Sequence, residues 1–225
     1  MDIEVASRGF DDRIRWDPAL IRKYDVAGPR YTSYPTALQF AEGFGSREYE
    51  QDLLERPPVI GPLSLYVHIP FCRNICYYCA CNKIVTRDAA VAERYIVALE
   101  KEIALLAHHH DQRRRVTQLH WGGGTPTFLS PSELTRLMHG LARHFSLIDA
   151  PEREYSIEID PRSVDTGTIA LLKGLGFNRI SMGIQDFDPQ VQRAINRIQP
   201  FDMVESLVDA VREHRFKSLS FDLIY

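Results

Sequence analysis

The chain has 225 residues, a formal charge of −3 and near-average shares of hydrophobic (44%) and charged (25%) residues, which fits a soluble intracellular enzyme. The weak negative balance excludes a general nucleic-acid footprint. The start, Met1-Asp2-Ile3-Glu4-Val5, lacks a basic n-region and no membrane-spanning run follows, so a cytoplasmic location is expected.

Residues 1–58 carry no sustained strand pattern. They hold Trp16-Asp17-Pro18, the run Gly28-Pro29-Arg30-Tyr31-Thr32-Ser33-Tyr34-Pro35 and an acidic helical stretch from Ser46 to Glu55. Prolines stiffen such a segment against helix, so an irregular arm laid over a domain is expected, or a flap offering a cation and phenols to an acidic ligand. From residue 59 onward strands and helices alternate. Strands are predicted at 64–69, 117–121, 154–160, 179–184 and 218–223. A helix over about 89–107 places Val91, Tyr95, Leu99, Ile103 and Leu106 on one face. Another opens with the capping box Ser130-Pro131-Ser132-Glu133 and buries Leu134, Leu137, Met138, Leu141 and Phe145. A third runs through Ile169 to Leu175, with Gly174 and Gly176 as its stop; Asp188-Pro189 caps a short fourth, and a fifth covers 201–214. This alternation predicts an α/β fold of parallel strands with right-handed crossovers.

The strands alternate in polarity, although a parallel strand buried on both faces should be apolar throughout. Leu65, Val67 and Ile69 oppose Ser64, Tyr66 and His68. Leu119 and Trp121 oppose Gln118 and His120, and Tyr155, Ile157 and Ile159 oppose Ser156, Glu158 and Asp160. Ile180, Met182 and Ile184 oppose Ser181, Gly183 and Gln185, and Leu219, Phe221 and Leu223 oppose Ser220 and Asp222. If helices cover the apolar set, the polar set lines the inside of a wide, wet barrel. A small closed barrel would be filled with branched aliphatics instead.

All four cysteines fall in one window, Cys72-Arg73-Asn74-Ile75-Cys76-Tyr77-Tyr78-Cys79-Ala80-Cys81, where the first strand gives out. A reducing cytosol disfavours disulfides. The spacing C-x3-C-x2-C lets three thiolates wrap three corners of a cubane cluster and leave one iron open. Cys81 is expected to diverge from Cys79, as neighbours one residue apart do in extended chain. A structural zinc of the Cys3His type, borrowing His68 or His120, is the alternative. Gly122-Gly123-Gly124-Thr125-Pro126 ends the second strand, where ligands of such sheets bind. It has neither the lysine of a phosphate loop nor a dinucleotide spacing. His108-His109-His110 and Arg113-Arg114-Arg115 read as solvated helix-end and loop residues.

Cysteine loop, glycine run and polar-faced barrel together resemble the radical S-adenosylmethionine superfamily, and within it the oxygen-independent coproporphyrinogen III oxidases. The matching stretches are Gly28 to Thr36, Leu65 to Cys72, Cys79 to Arg87, Leu119 to Thr127, Ser156 to Arg162, Asn178 to Phe187 and Asp222 to Tyr225, so nearly the whole chain is covered. The resemblance implies a partial (β/α) barrel behind the N-terminal arm, with a C-terminal part beyond Tyr225 absent. It implies a [4Fe–4S] cluster on Cys72, Cys76 and Cys79, and a first S-adenosylmethionine at Tyr66, Tyr78, Gly123 and Glu158. A second S-adenosylmethionine is implied at Gly124, Thr125, Gln185, Arg197 and Asp222; Gln185 and Asp222 also belong to the polar strand set. Without the resemblance Arg197 reads as a surface charge on a short helix. The implied reaction turns two propionates of coproporphyrinogen III into vinyls through a 5′-deoxyadenosyl radical, giving protoporphyrinogen IX. Tyr66 and His68 are the catalytic candidates and Arg30 the substrate cation. A flavodoxin or ferredoxin is the implied electron donor and a monomer the expected state. A haem-carrying relative of the same superfamily is the competing function.

Overall fold

The computed structural model describes residues 17–26, 36–55, 61–111 and 113–224. The chain forms two compact units, Met1–Asp52 and Leu53–Tyr225. In the first, helix α1 (Pro18–Tyr24) was not expected from the proline content. Its signal is local: the Asp17 carboxylate accepts from the backbone N–H groups of Ala19 and Leu20, and Pro18 takes the N1 position, where its missing N–H costs nothing. Helix α2 (Ser46–Glu55) begins where the acidic stretch predicts and ends in the second unit. Arg30 and the segment 28–35 around it lie outside the described residues.

In the second unit β1 (Leu63–Ile69) is followed by two short strands, β2 (Phe71–Cys72) and β3 (Ile84–Val85), which pair in parallel. Then come α3 (Ala90–His108), β4 (Arg115–Gly123), α4 (Pro131–His144), β5 (Ser146–Leu147), β6 (Glu154–Ile159), α5 (Thr166–Gly174), β7 (Arg179–Gln185), α6 (Pro189–Ala194), α7 (Phe201–Glu213) and β8 (Ser218–Leu223). The main sheet has the order β1-β4-β6-β7-β8, all parallel, with β5 beside the start of β4. Each long strand thus lies beside the next one in sequence, and every carboxyl end points to the same rim. The pairs β2–β3 and β4–β5 were too short for a period-2 pattern to announce.

Strand polarity sorts as predicted. Val67, Ile69, Leu119, Trp121, Ile157, Ile159, Ile180 and Met182 are buried, in one core with Ile96, Ile103, Leu134, Leu137, Ile169, Leu172 and Leu207 from the helices. Each such side chain contributes roughly 1.5–3 kcal/mol through removal from water. The alternate set is less covered: Tyr66 is exposed, and His68, His120, Ser156 and Glu158 are half-buried. Strand β8 departs from the pattern, since Phe221 and Leu223 are exposed. It is the edge of the sheet, and no described element covers its apolar side.

The helix ends follow the sequence closely. Ser130 and Glu133 form both halves of the capping box. Asp165 caps α5 by accepting from Thr168 N, and Gly176, at φ +98°, takes the left-handed position after the helix, while Gly174 is helical. Arg136 on α4 forks onto Glu100 of α3 at 2.6 and 2.7 Å and reaches Glu93 at 2.7 Å, fixing one helix against the other. The basic run is less loose than expected, because Arg114 donates to the carbonyls of Gly61 and Pro62. No helix among the described residues is long and apolar enough to cross a membrane.

Candidate active site

The site grows from the end of β1. After Pro70 the short pair β2–β3 pinches the cysteine segment into a loop, with Ile84 N donating to Pro70 O (2.7 Å) and Thr86 N to Cys72 O (2.9 Å). The end of β4 crosses directly against it, as Gly124 N donates to Ile69 O (2.8 Å) and Thr125 N to Phe71 O (2.9 Å). This crossing explains the glycines. A Cβ on Gly124 would come within 2.7 Å of the Pro70 carbonyl, and one on Gly123, itself at φ +113°, within 2.6 Å of the His68 ring. The glycine run is therefore required by the protein's own packing as well as by a ligand.

Around this crossing lies a cavity of about 350 Å³. Its walls include the predicted metal ligands Cys72, Cys76 and Cys79 and the predicted cofactor contacts Tyr78, Gly123, Gly124, Thr125, Glu158, Gln185, Arg197 and Asp222. Residues as far apart in sequence as Cys72 and Asp222 are brought together because all of these strands end at one rim. Gln185 adopts φ +70°, at a register irregularity between β7 and β8. A left-handed non-glycine residue at a strand end is backbone strain of the kind that functional sites retain.

Arg197 corrects the sequence reading. It lies beyond α6, not on it, and is only 6% exposed. Its Nη2 donates to Gly183 O at 2.7 Å, and its Nη1 approaches Asp160 Oδ2 at 3.2 Å. A Cβ on Gly183 would come within 2.9 Å of that guanidinium. Cys81 corrects it too. Residues 77–78 turn and Cys81 sits at a bend, with Lys83 Nζ donating to the carbonyls of Cys79 (2.8 Å) and Cys81 (3.4 Å). Cys81 lines the same cavity, and burial together with the neighbouring Cys79 thiol pushes its own thiol above the usual range. The geometric reason for setting Cys81 apart does not hold.

The environments of the thiols differ. Cys72 lies 3.5 Å from the Thr125 hydroxyl, and burial raises its thiol although that hydrogen bond opposes the shift. Cys76 faces two guanidinium groups, Arg162 Nη2 at 3.6 Å and Arg197 Nη1 at 3.5 Å. Tyr78 is pushed up to about 12, mainly by burial. Among the described residues no three His, Cys, Asp or Glu side chains are grouped to hold a single metal ion.

Tyr66 and His68 do not line the cavity but stand beside it. His68 Nε2 lies 3.0 Å from the carbonyl of Asn82, so that nitrogen carries the proton. Nδ1 is then left to accept from the Tyr66 hydroxyl at 3.0 Å. Tyr66 stacks on His120 with ring centroids 5.7 Å apart. His120 in turn reaches Ser156 Oγ (2.6 Å) and Glu158 Oε1 (3.3 Å), and Glu158 Oε2 accepts from Gly123 N (3.2 Å). Burial raises the Tyr66 phenol, with the Glu158 carboxylate adding to it. The sequence places His120 and Asp160 in the polar strand set, gives His120 a chemical role only as an alternative zinc ligand, and gives Arg162 none. The strand alternation already placed His120 beside Glu158 on the polar face, and that was the signal available. For Arg162 nothing in the sequence pointed at the cysteine loop.

A parallel sheet whose carboxyl-end rim carries three thiols, a glycine crossing and an inward carboxylate fits a cluster-binding barrel, and the comparisons with known proteins agree. The Radical SAM superfamily model matches residues 66–225, and the chain belongs to that superfamily. It is 52% identical over 214 residues to the oxygen-independent coproporphyrinogen III oxidase of Pseudomonas aeruginosa, covering 95% of this chain and 46% of that protein. The same-named protein of Escherichia coli is 49% identical over 217 residues, again covering 46% of its length. A solved structure titled as the Escherichia coli coproporphyrinogen III oxidase, a radical SAM enzyme, superposes with a TM-score of 0.80 at 48% identity over 94% of this chain and 46% of that one. The chain thus spans a little under half the length of the curated relatives it matches. Membership brings a [4Fe–4S] cluster and S-adenosylmethionine in general, and the residues present fit both: three thiols share one cavity wall, with hydrogen-bonding groups on Cys72 and Cys76, next to glycine backbone and a carboxylate.

Proposed function

We propose that this chain forms the cluster- and S-adenosylmethionine-binding part of an oxygen-independent coproporphyrinogen III oxidase, which converts two propionates of coproporphyrinogen III to vinyls. One observation carries this: the cluster cysteines and all the expected cofactor contacts but Tyr66 line a single cavity. When bound, the cluster and S-adenosylmethionine supply one-electron chemistry and hydrogen abstraction. Cys72, Cys76 and Cys79 would hold the cluster and leave one iron for the amino-acid end of S-adenosylmethionine. Glu158, fixed by Gly123 N and His120, would accept from the ribose hydroxyls. Tyr66, beside the cavity, donates a hydrogen bond to His68 Nδ1 and would reach the first S-adenosylmethionine from the cavity's edge. A second S-adenosylmethionine would use Gly124, Thr125, Gln185, Arg197 and Asp222, all on the cavity wall.

The substrate is a tetracarboxylate, and Arg30 in the N-terminal unit is proposed as one of its cations. The reacting propionate must be kept from water, and turnover is proposed for a chain of the relatives' length. A flavodoxin- or ferredoxin-type protein would deliver the electron, and the chain would act as a monomer. Anaerobic reconstitution should load about four irons per chain, and Cys81→Ser should keep them. Stoichiometric zinc without iron–sulfur absorption would sink the proposal. A chain extended to the relatives' length should form protoporphyrinogen IX, read as protoporphyrin fluorescence after oxidation, while the 225-residue chain should at most release 5′-deoxyadenosine. An extended protein that is inactive and holds haem tightly would point to haem carriage instead.

A further inference from the structure

The three cluster thiols meet different partners. Cys72 faces a neutral hydroxyl, Cys79 faces the Cys81 thiol, and Cys76 alone faces two cations. Those two guanidinium groups are not free to swing. Asp160, one residue past β6, takes Arg162 through Nη2 (2.6 Å) and Nε (3.0 Å) and Arg197 through Nη1 (3.2 Å). Side-chain exposures of 14% for Asp160, 18% for Arg162 and 8% for Arg197 make this a partly desolvated triad with a net single positive charge. Arg162 has a second hold on the same cysteine. Its Nη1 donates to Asn196 O at 3.4 Å, and Asn196 Nδ2 donates to the carbonyl of Ile75, the residue before Cys76, at 2.7 Å.

We propose that Arg162, locked by Asp160, is a positioning residue for the cluster: it fixes Cys76 from its sulfur and from its backbone, and makes that corner of the cluster the electropositive one. This rests on the reading that Cys76 is a cluster ligand. Charge-assisted N–H···S bonds in a poorly solvated site draw electron density from the thiolate, and hydrogen bonds to cluster sulfurs are among the terms that set reduction potential. The sign is fixed, because a cation beside the sulfur favours the more electron-rich, reduced cluster. A lysine is not an equivalent replacement, since a single ammonium has no planar fork to span carboxylate, sulfur and carbonyl together. Arg162 lines the same cavity but, unlike Arg197, is not among the proposed S-adenosylmethionine contacts, and it is the probe for that reason.

The test is made on the anaerobically reconstituted chain without S-adenosylmethionine, so that no readout depends on turnover. Arg162→Gln should lower the midpoint potential in an EPR-monitored redox titration and speed loss of iron to a chelator several-fold. Arg162→Lys should move both in the same direction by less. A folded Arg162→Gln protein with wild-type potential and wild-type iron retention would overturn the proposal. Should Arg162→Gln fail to fold by circular dichroism, Arg162→Lys decides: unchanged potential and retention overturn it, and loss of iron from a folded protein supports it. Wild-type protein that takes up no cluster would instead sink the cluster assignment itself, and this inference with it.

Discussion

On the helix-covered side of the sheet Trp121, Ile157 and Met182 are shut off from solvent; one residue away along the same strands, His120, Glu158 and Ser181 stand half-buried on the opposite side. The covered side is held by apolar area and shape, with Trp121 meeting Phe177 edge-on at a centroid distance of 5.1 Å. The open side is held by the Tyr66–His68 and His120–Glu158 hydrogen bonds, joined by stacking of Tyr66 on His120, and at the rim by the charges of Asp160, Arg162 and Arg197. Shape on one side gives stability that is indifferent to pH. Polar groups on the other give placement, and their contribution depends on protonation and on ligand.

The largest effect that would sharpen this contrast is expected from Trp121→Ala. It should cost ~3–5 kcal/mol, the usual result of emptying a large buried aromatic site, and the loss measured by urea unfolding should be the same at pH 7 and near pH 4. A loss of less than about 1 kcal/mol would mean that the covered side does not carry the fold.

At the rim the expectation reverses. Burial opposes ionisation of Asp160, but its hydrogen bonds and charge pairing with Arg162 and Arg197 prevail and hold the carboxyl below its usual 3.8. A depressed carboxylate contributes stability that is complete above the unfolded value and disappears as pH falls through the folded one. Asp160→Asn should therefore cost on the order of 3 kcal/mol at pH 7, the usual penalty for breaking a buried pair. Its melting curve should converge with wild type as pH drops below 3.8. Parallel curves down to pH 3 would remove the electrostatic account of the rim.

Glu158→Ala should separate binding from stability. S-adenosylmethionine affinity, measured by anaerobic calorimetry on reconstituted protein, should weaken by ~1–3 kcal/mol. The free energy of unfolding should change by only about 0.5 kcal/mol, because Glu158 is 44% exposed in its side chain. Unchanged affinity would place the cofactor elsewhere. The smallest effect tests a local signal away from both sides. Ser130→Ala removes the cap of α4 and should cost about 1 kcal/mol in thermal unfolding, leaving iron content and cofactor affinity untouched.

Much of this was legible in the sequence. The five long strands, their polar and apolar sides and the capped helices follow from periodicities of 2 and 3.6 and from Asp and Ser at helix starts, which act over a few residues. The cysteine spacing and the glycine run were readable in the same way, each as a local pattern at a strand end, whereas Glu158 was readable only as a polar-side residue and took its expected role from the family resemblance. Helix α1 was missed although its Asp17-Pro18 signal was present, because the prolines around it outweighed the cap.

What the sequence by itself determined is which residues occupy the two sides of the sheet and which strand ends carry chemistry. Only the tertiary structure decided how those ends meet. Arg197 became a buried partner of Asp160 and Gly183, not a surface charge, because a loop 37 residues beyond Asp160 folds back over the rim. Cys81 joined the cavity where the loop bends beside the Lys83 contacts, and Arg162 reached Cys76 across 86 residues of chain. Contacts of that range depend on where whole strands and loops are placed in space, and no short window of sequence contains that information.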